Sequence, residues 1–159
     1  MCIRDSPITG MPLDQTVDYV RDCAELGYRA VWGSEVAGPD FATLLGAVAG
    51  AGLDVDLGVA VIPVQTRSAW LIAATAATLA QMSGGRFSLG LGTSSELIAG
   101  QWSGAPFDKP LTHLREVVET VRAILGGERV DVDGEYVRAH GYKLFGPTPP
   151  VPILSRIHI

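Results

Sequence analysis

Cysteine is all but missing from this chain. The two that occur, Cys2 and Cys23, are too few for a disulfide framework and do not form a metal pair. Histidine is equally sparse: His113, His140 and His158 are scattered, and no further ligands accompany them at zinc-site spacing. No metal is expected. Positive charge is in deficit, with a formal net charge of -5 and no basic or aromatic-interleaved stripe of the kind a nucleic acid would need. The longest apolar run, Ala69 to Ala80, is broken by Thr75 and Thr78 and is too short to span a bilayer. Arg4 and Asp5 stand where a signal peptide would carry its apolar core. A secreted disulfide scaffold, a membrane span and a nucleic-acid binder are thereby disfavoured, and a reducing cytoplasm is the expected location.

What is present is enough apolar material for a core. The 159 residues are 47% hydrophobic, which suits one domain or part of a larger one. The most informative stretch is Ser83 to Ser95. Gly84 and Gly85 sit where a helix should stop. Phe87 to Leu91 is a short uncharged run, as expected for a strand covered on both faces. Gly90 and Gly92 strip side chains from the strand's end, so that something can approach its backbone. Thr93, Ser94 and Ser95 follow with hydroxyls and free amides, at the edge where α/β folds bind ligands.

Taken in order, the chain alternates. Pro12 to Leu26 carries Leu13, Val17, Val20 and Ala24 on one face, a surface helix closed by Gly27. Arg29 to Trp32 is a short strand running into Gly33, Ser34 and Glu35. Asp40 is a candidate cap for a helix that buries Phe41, Leu44, Leu45 and Val48. Leu53 to Pro63 contains the next strand. A helix from Ser68 to Met82 places Leu71, Thr75, Leu79 and Met82 on one stripe, and its alanines allow close packing on a sheet. After the glycine-punctuated strand, Glu96 to Lys109 reads as a long loop. The helix after it points Leu111, Leu114, Val117, Val118, Val121, Ile124 and Leu125 inward. Arg129 to Leu144 alternates around Asp133-Gly134, a hairpin signal. Pro147 to Pro150 leads into Val151 to Leu154, the start of another buried strand.

Strict helix–strand alternation implies an α/β fold with a parallel sheet. The chain reads as opening on a helix, with no strand before it. Residues 1–6 and 155–159 lack any periodicity continuing into their neighbours and resemble translated adapter tails, which leaves 7–154 as the folded part. Since a closed (β/α)8 barrel takes about 250 residues, the expectation is a partial TIM barrel, its N-terminal half, with a small β-hairpin excursion over 129–144.

Simpler motif readings fail. A dinucleotide fingerprint beginning at Gly90 and Gly92 needs a third glycine where Ser95 stands. A nucleophile elbow around Ser94 lacks its last glycine and a following His-Asp pair. His113 and Glu116 share a helix face, expected to be a solvated pair. Glu35, at a strand end, is open to two readings: a catalytic base or cofactor contact, or the partner of a neighbouring arginine.

Four stretches occur together in register: Tyr28 to Glu35, Gly58 to Arg67, Ser83 to Ser95, and Gly104 to Pro110. Together they resemble the luciferase-like monooxygenase superfamily, in particular its oxidoreductases dependent on the deazaflavin coenzyme F420, over about Thr9 to Leu154. The resemblance implies a TIM barrel with its cofactor at the carboxyl ends of the strands. It implies a non-prolyl cis peptide at Ala60-Val61 set against the deazaflavin ring. It assigns Ser34, Glu35, Ala60, Val61, Gly92, Thr93, Ser94 and Ser95 to cofactor binding, with Glu35 the candidate catalytic residue. Val36 stands where sugar-phosphate-oxidising members carry a histidine base, which speaks against that substrate class. The implied reaction is hydride transfer between F420 and a small organic substrate, in an enzyme that dimerises at full length. An FMN-dependent monooxygenase is the close alternative, and a non-catalytic dimerisation module the third.

Overall fold

In the computed structural model, residues 2–4 and 11–155 are described. The elements in chain order are β1 (Cys2–Arg4), α1 (Thr16–Glu25), β2 (Ala30–Gly33), α2 (Phe41–Gly50), β3 (Asp56–Pro63), α3 (Ala69–Met82), β4 (Phe87–Gly92), α4 (Pro110–Leu125), β5 (Val130–Asp133), β6 (Arg138–Tyr142) and β7 (Ile153–Ser155). A five-stranded sheet runs β1-β2-β3-β4-β7, every neighbouring pair parallel. β5 and β6 form a separate antiparallel hairpin.

Spatial order follows chain order across the sheet. A doubly wound sheet reverses direction partway, whereas a barrel keeps adding strands on one side. Right-handed crossovers then put all the helices on one face. The architecture is that of an incomplete (β/α)8 barrel. One expectation needs correcting here: the chain does not open on a helix. Cys2–Arg4 pairs with Ala30, Val31 and Trp32 as the edge strand β1. The last strand extends to Ser155 and pairs with Leu89 to Leu91; it is half exposed rather than buried, Leu154 standing open on one side. Residues 1, 5–6 and 156–159 of the expected tails lie outside the described residues.

Period-two alternation sorts the sheet's side chains by size. Leu57, Val59, Phe87, Leu89 and Leu91 are buried in one cluster with Leu45, Val48, Ile72, Ala73, Ala76 and Ala80 from α2 and α3. The positions between them, Gly58, Ala60, Ser88 and Gly90, are small. At full burial each leucine or phenylalanine contributes about 1.5–3 kcal/mol, so the helix-covered face holds the sheet together. The other face is left shallow. Gly58 is obligatory there, because a Cβ would lie 2.4 Å from the Trp32 ring.

The helices depart from the expected stripes in instructive ways. α1 buries Thr16, Val20 and Cys23; a single 3₁₀ turn at Leu13–Gln15 precedes it and leaves Leu13 exposed. α2 is as expected, with the Asp40 carboxylate accepting from the Ala42 amide at 3.1 Å. α3 turns its alanines, not the Leu71–Met82 stripe, to the sheet; Leu71 and Met82 stay partly exposed and only Leu79 of that stripe is buried. Small side chains let the helix backbone sit close to the strands, and that closeness outweighs burying larger groups. α4 buries Leu114, Val117, Thr120, Val121 and Ile124, and leaves Leu111 in solvent. The expected long loop contains a π-helical turn over Leu97–Trp102.

The hairpin is docked rather than loose. The Glu116 carboxylate accepts the backbone N–H groups of Glu135, Tyr136 and Val137 at 3.1, 2.9 and 3.0 Å. The His113 and Tyr136 rings stack at 4.8 Å. His113 and Glu116 are therefore not the solvated pair expected, because the hairpin claims both. Burial works to raise the Glu116 carboxyl, but the three amide donors outweigh it and hold the group below its ordinary value of 4.5.

Two outcomes are expected. Glu116→Gln weakens the hairpin dock by about 1–2 kcal/mol at neutral pH. A carboxyl depressed in the folded state stabilises fully above its ordinary value and loses that contribution as pH falls through the lower folded value. Paired thermal melts at pH 7 and pH 3 should therefore show the gap between wild type and variant narrowing in acid. Gly90→Ala places a Cβ 2.2 Å from the Val59 carbonyl oxygen, a backbone atom that cannot swing away. The variant should lose about 3 kcal/mol or more in denaturant unfolding.

Candidate functional site

The carboxyl ends of β2, β3 and β4 open onto one hollow of about 1000 Å³, at the upper end of the range of about 300–1,000 Å³ for small-molecule sites. Ser34, Glu35, Ala60, Val61, Thr93, Ser94 and Ser95 all line it. Gly92 does not. Its carbonyl accepts the Val64 N–H at 3.0 Å, and a Cβ there would lie 2.7 Å from the Val61 side chain. Gly92 thus shapes the wall by letting Val61 pack against bare backbone.

The floor is set by an irregularity in β3. The Ala60-Val61 peptide is cis, as the resemblance implies, and the β3–β4 register shifts between Val59 and Ile62. Gly90 faces this point, and its missing Cβ is what admits the Val59 carbonyl. The backbone therefore swells into the hollow from below.

The walls come from loops. After β4, Thr93 to Ser95 carry three hydroxyls. The Ser95 Oγ accepts the Ile98 amide at 3.4 Å, tying the loop to the π-helical turn. The Ser94 Oγ is buried and finds no hydrogen-bond partner among the described residues. A buried hydroxyl is costly without a partner, so this atom is suited to a polar ligand group. Trp32, Val36, Pro63, Ile98 and Leu154 supply apolar lining. Together, an apolar hollow, a backbone floor and a hydroxyl-rich end fit a flat ring bearing a polar side chain.

Glu35 has an arginine partner and also lines the hollow, so both of its readings stand. Its Oε2 accepts Arg67 Nε at 2.9 Å and its Oε1 accepts Arg67 Nη2 at 2.9 Å. The Ala42 amide at the start of α2 adds a longer contact at 3.4 Å. The same Nη2 reaches Asp40 at 2.8 Å. Burial pushes the Glu35 carboxyl above its ordinary value, and Arg67 pulls it part of the way back. Asp40 is held low despite partial burial, by Thr43 and Arg67. Each Glu35 oxygen accepts from Arg67, so the guanidinium fixes the orientation of this carboxylate.

Sequence reasoning missed Arg67 as the partner. It lies 32 residues from Glu35, and nothing local links the two; the only signal was its place at the end of the Gly58 to Arg67 stretch. Trp32, Pro63, Ile98 and Leu154 were also missed as lining, since apolar residues give no sequence sign of facing a cavity. Among the described residues no group of three His, Cys, Asp or Glu could hold a metal, and no helix is long and apolar enough to cross a membrane.

Comparison with known proteins identifies the family and matches the fold. The family model for luciferase-like monooxygenases matches residues 2–156. A putative coenzyme F420-dependent oxidoreductase of Mycobacterium tuberculosis is 33% identical over 117 residues, covering 74% of this chain and 34% of that protein. The coenzyme F420-dependent tetrahydromethanopterin reductase of Methanopyrus kandleri superposes with a TM-score of 0.79 at 21% identity, over 96% of this chain and 49% of that one. The oxygenating constituent of 3,6-diketocamphane monooxygenase of Pseudomonas putida, in complex with FMN, gives 0.74 at 18% identity, over 89% of this chain and 45% of that one. The chain spans between a third and a half of the length of these proteins. With its fold and a family match running almost end to end, the chain belongs to the luciferase-like monooxygenase family.

Proposed function

We propose that this chain is the N-terminal half-barrel of an F420-dependent oxidoreductase acting on a small organic substrate. The observation that carries the reading is the convergence of Ser34, Glu35, Ala60, Val61 and Thr93 to Ser95 on one hollow. When bound, the deazaflavin supplies the ring carbon that gives or accepts hydride. The protein's part is placement. The Ala60-Val61 backbone supports one ring face, Trp32 and Ile98 exclude water beside it, and Thr93, Ser94 and Ser95 take the polar side chain by hydroxyls and amides. Glu35 serves as a wall residue held to Arg67.

Val36 is exposed and lines the hollow, so no proton-bearing side chain occupies that point. This supports a substrate other than a sugar phosphate. FMN use is the second reading, favoured by the FMN complex of the diketocamphane enzyme, since flavin and deazaflavin rings share one shape. Outward-facing Leu71 and Met82 on α3 support a homodimer at full length.

The test is a fluorescence titration with F420 and with FMN, on this chain and on the chain carried to the end of its gene. F420 should bind, and Ser94→Val should weaken it about fivefold through the lost hydroxyl partner. Binding of FMN alone would move the protein to the monooxygenase reading. Binding of neither, with a compact dimer in sedimentation, would point to the non-catalytic module.

A further inference from the structure

Arg67 belongs to the wall of the hollow without touching it. It lines instead an outer groove between α2 and α3, beside Asp40 and Leu71, while its partner Glu35 faces the hollow. The ion pair therefore passes through the wall. We infer that Arg67 is a positioning residue, whose guanidinium fastens both ends of the segment from Glu35 to Asp40 and so fixes the side of the hollow where the ring would rest. This inference rests on the cofactor reading above.

Three observations support it. The segment has no helix or strand of its own between Glu35 and Asp40, so its shape depends on contacts from elsewhere. One guanidinium spans its ends: a two-bond fork to Glu35, both bonds 2.9 Å, and a third bond of 2.8 Å to Asp40. The fork is well shielded, the Arg67 and Glu35 side chains being 19% and 11% exposed. Such a pair is screened little by salt, and breaking one side leaves a charge without compensation. Without Arg67, two carboxylates would share this corner and repel.

The fork also reaches the floor of the hollow. The Glu35 backbone N–H donates to the Val61 carbonyl at 3.4 Å, a long bond that holds only while Glu35 is kept in place. Arg67, Glu35 and Val61 thus form a chain of contacts from the outer groove to the backbone swelling of β3.

The test pairs hydrogen exchange with cofactor binding. In Arg67→Met, amide exchange over residues 34–40 should quicken while α2 and β4 keep wild-type protection. The Kd for F420, or for FMN if that is the ligand bound, should rise about tenfold. Arg67→Lys restores the charge but not the planar fork, and should recover only part of the affinity. Combining Glu35→Gln with Arg67→Met should bind no worse than the weaker single variant, because both remove one tie. Wild-type exchange over 34–40 and a wild-type Kd in Arg67→Met would overturn the inference. So would equal loosening of α2 and β4, which marks a general stabilising role. If the wild-type protein bound neither cofactor, the cofactor reading would fail, and the exchange pattern alone would then decide whether Arg67 holds the segment.

Discussion

The site depends on a steric permission at the middle of the sheet: Gly90 has no Cβ, so the Val59 carbonyl can come where a side chain would stand. Because of that approach β3 can depart from its ladder between Val59 and Ile62 and turn the Ala60-Val61 peptide into the hollow. Gly92 extends the same permission one residue pair further, under Val61. A side chain at either point would straighten the strand or push it off its neighbour. The floor is thus made of backbone, which is rigid and offers no rotamers to be reorganised by a ligand.

That irregular strand is tolerable because the opposite face of the sheet is ordinary. Phe87, Leu89 and Leu91 lie fully buried against α3, whose alanines bring its backbone close to them. Stability and function are divided between the two faces of the same strands. The large side chains go under the helices, and the small ones are left for the hollow.

Charge around the hollow is partly balanced. Glu35 and Asp40 share the single guanidinium of Arg67, which leaves one negative charge over on this wall, and Arg122 brings a positive charge to the lining. Further from the site, Glu116 draws the hairpin onto α4 through three backbone donors, and the Trp70–Tyr142 rings, 5.8 Å apart, tie the hairpin to α3. In both the Arg67 and the Glu116 contacts one charged side chain gathers several partners from a different part of the chain.

Much of this was legible before any coordinates. Apolar spacing marked α2 and its cap Asp40, the glycine-bearing strand β4, and the hairpin around Asp133-Gly134, because each is written in neighbours a few residues apart. The resemblance carried the hollow's location and the cis peptide. Other features were not legible, for a common reason. Cys2–Arg4 has too short a pattern to announce a strand, and only pairing with β2 makes it one. Which face of α3 is buried depended on how near a helix can approach a sheet. The Glu35–Arg67 fork and the Glu116 dock join residues 32 and about 20 positions apart. The sequence by itself determined the succession of strands and helices and the small residues at the strand ends, since those are local preferences. Which side chains meet across the hollow was decided by the tertiary structure, since a contact between distant residues exists only once the sheet has brought their loops to the same edge.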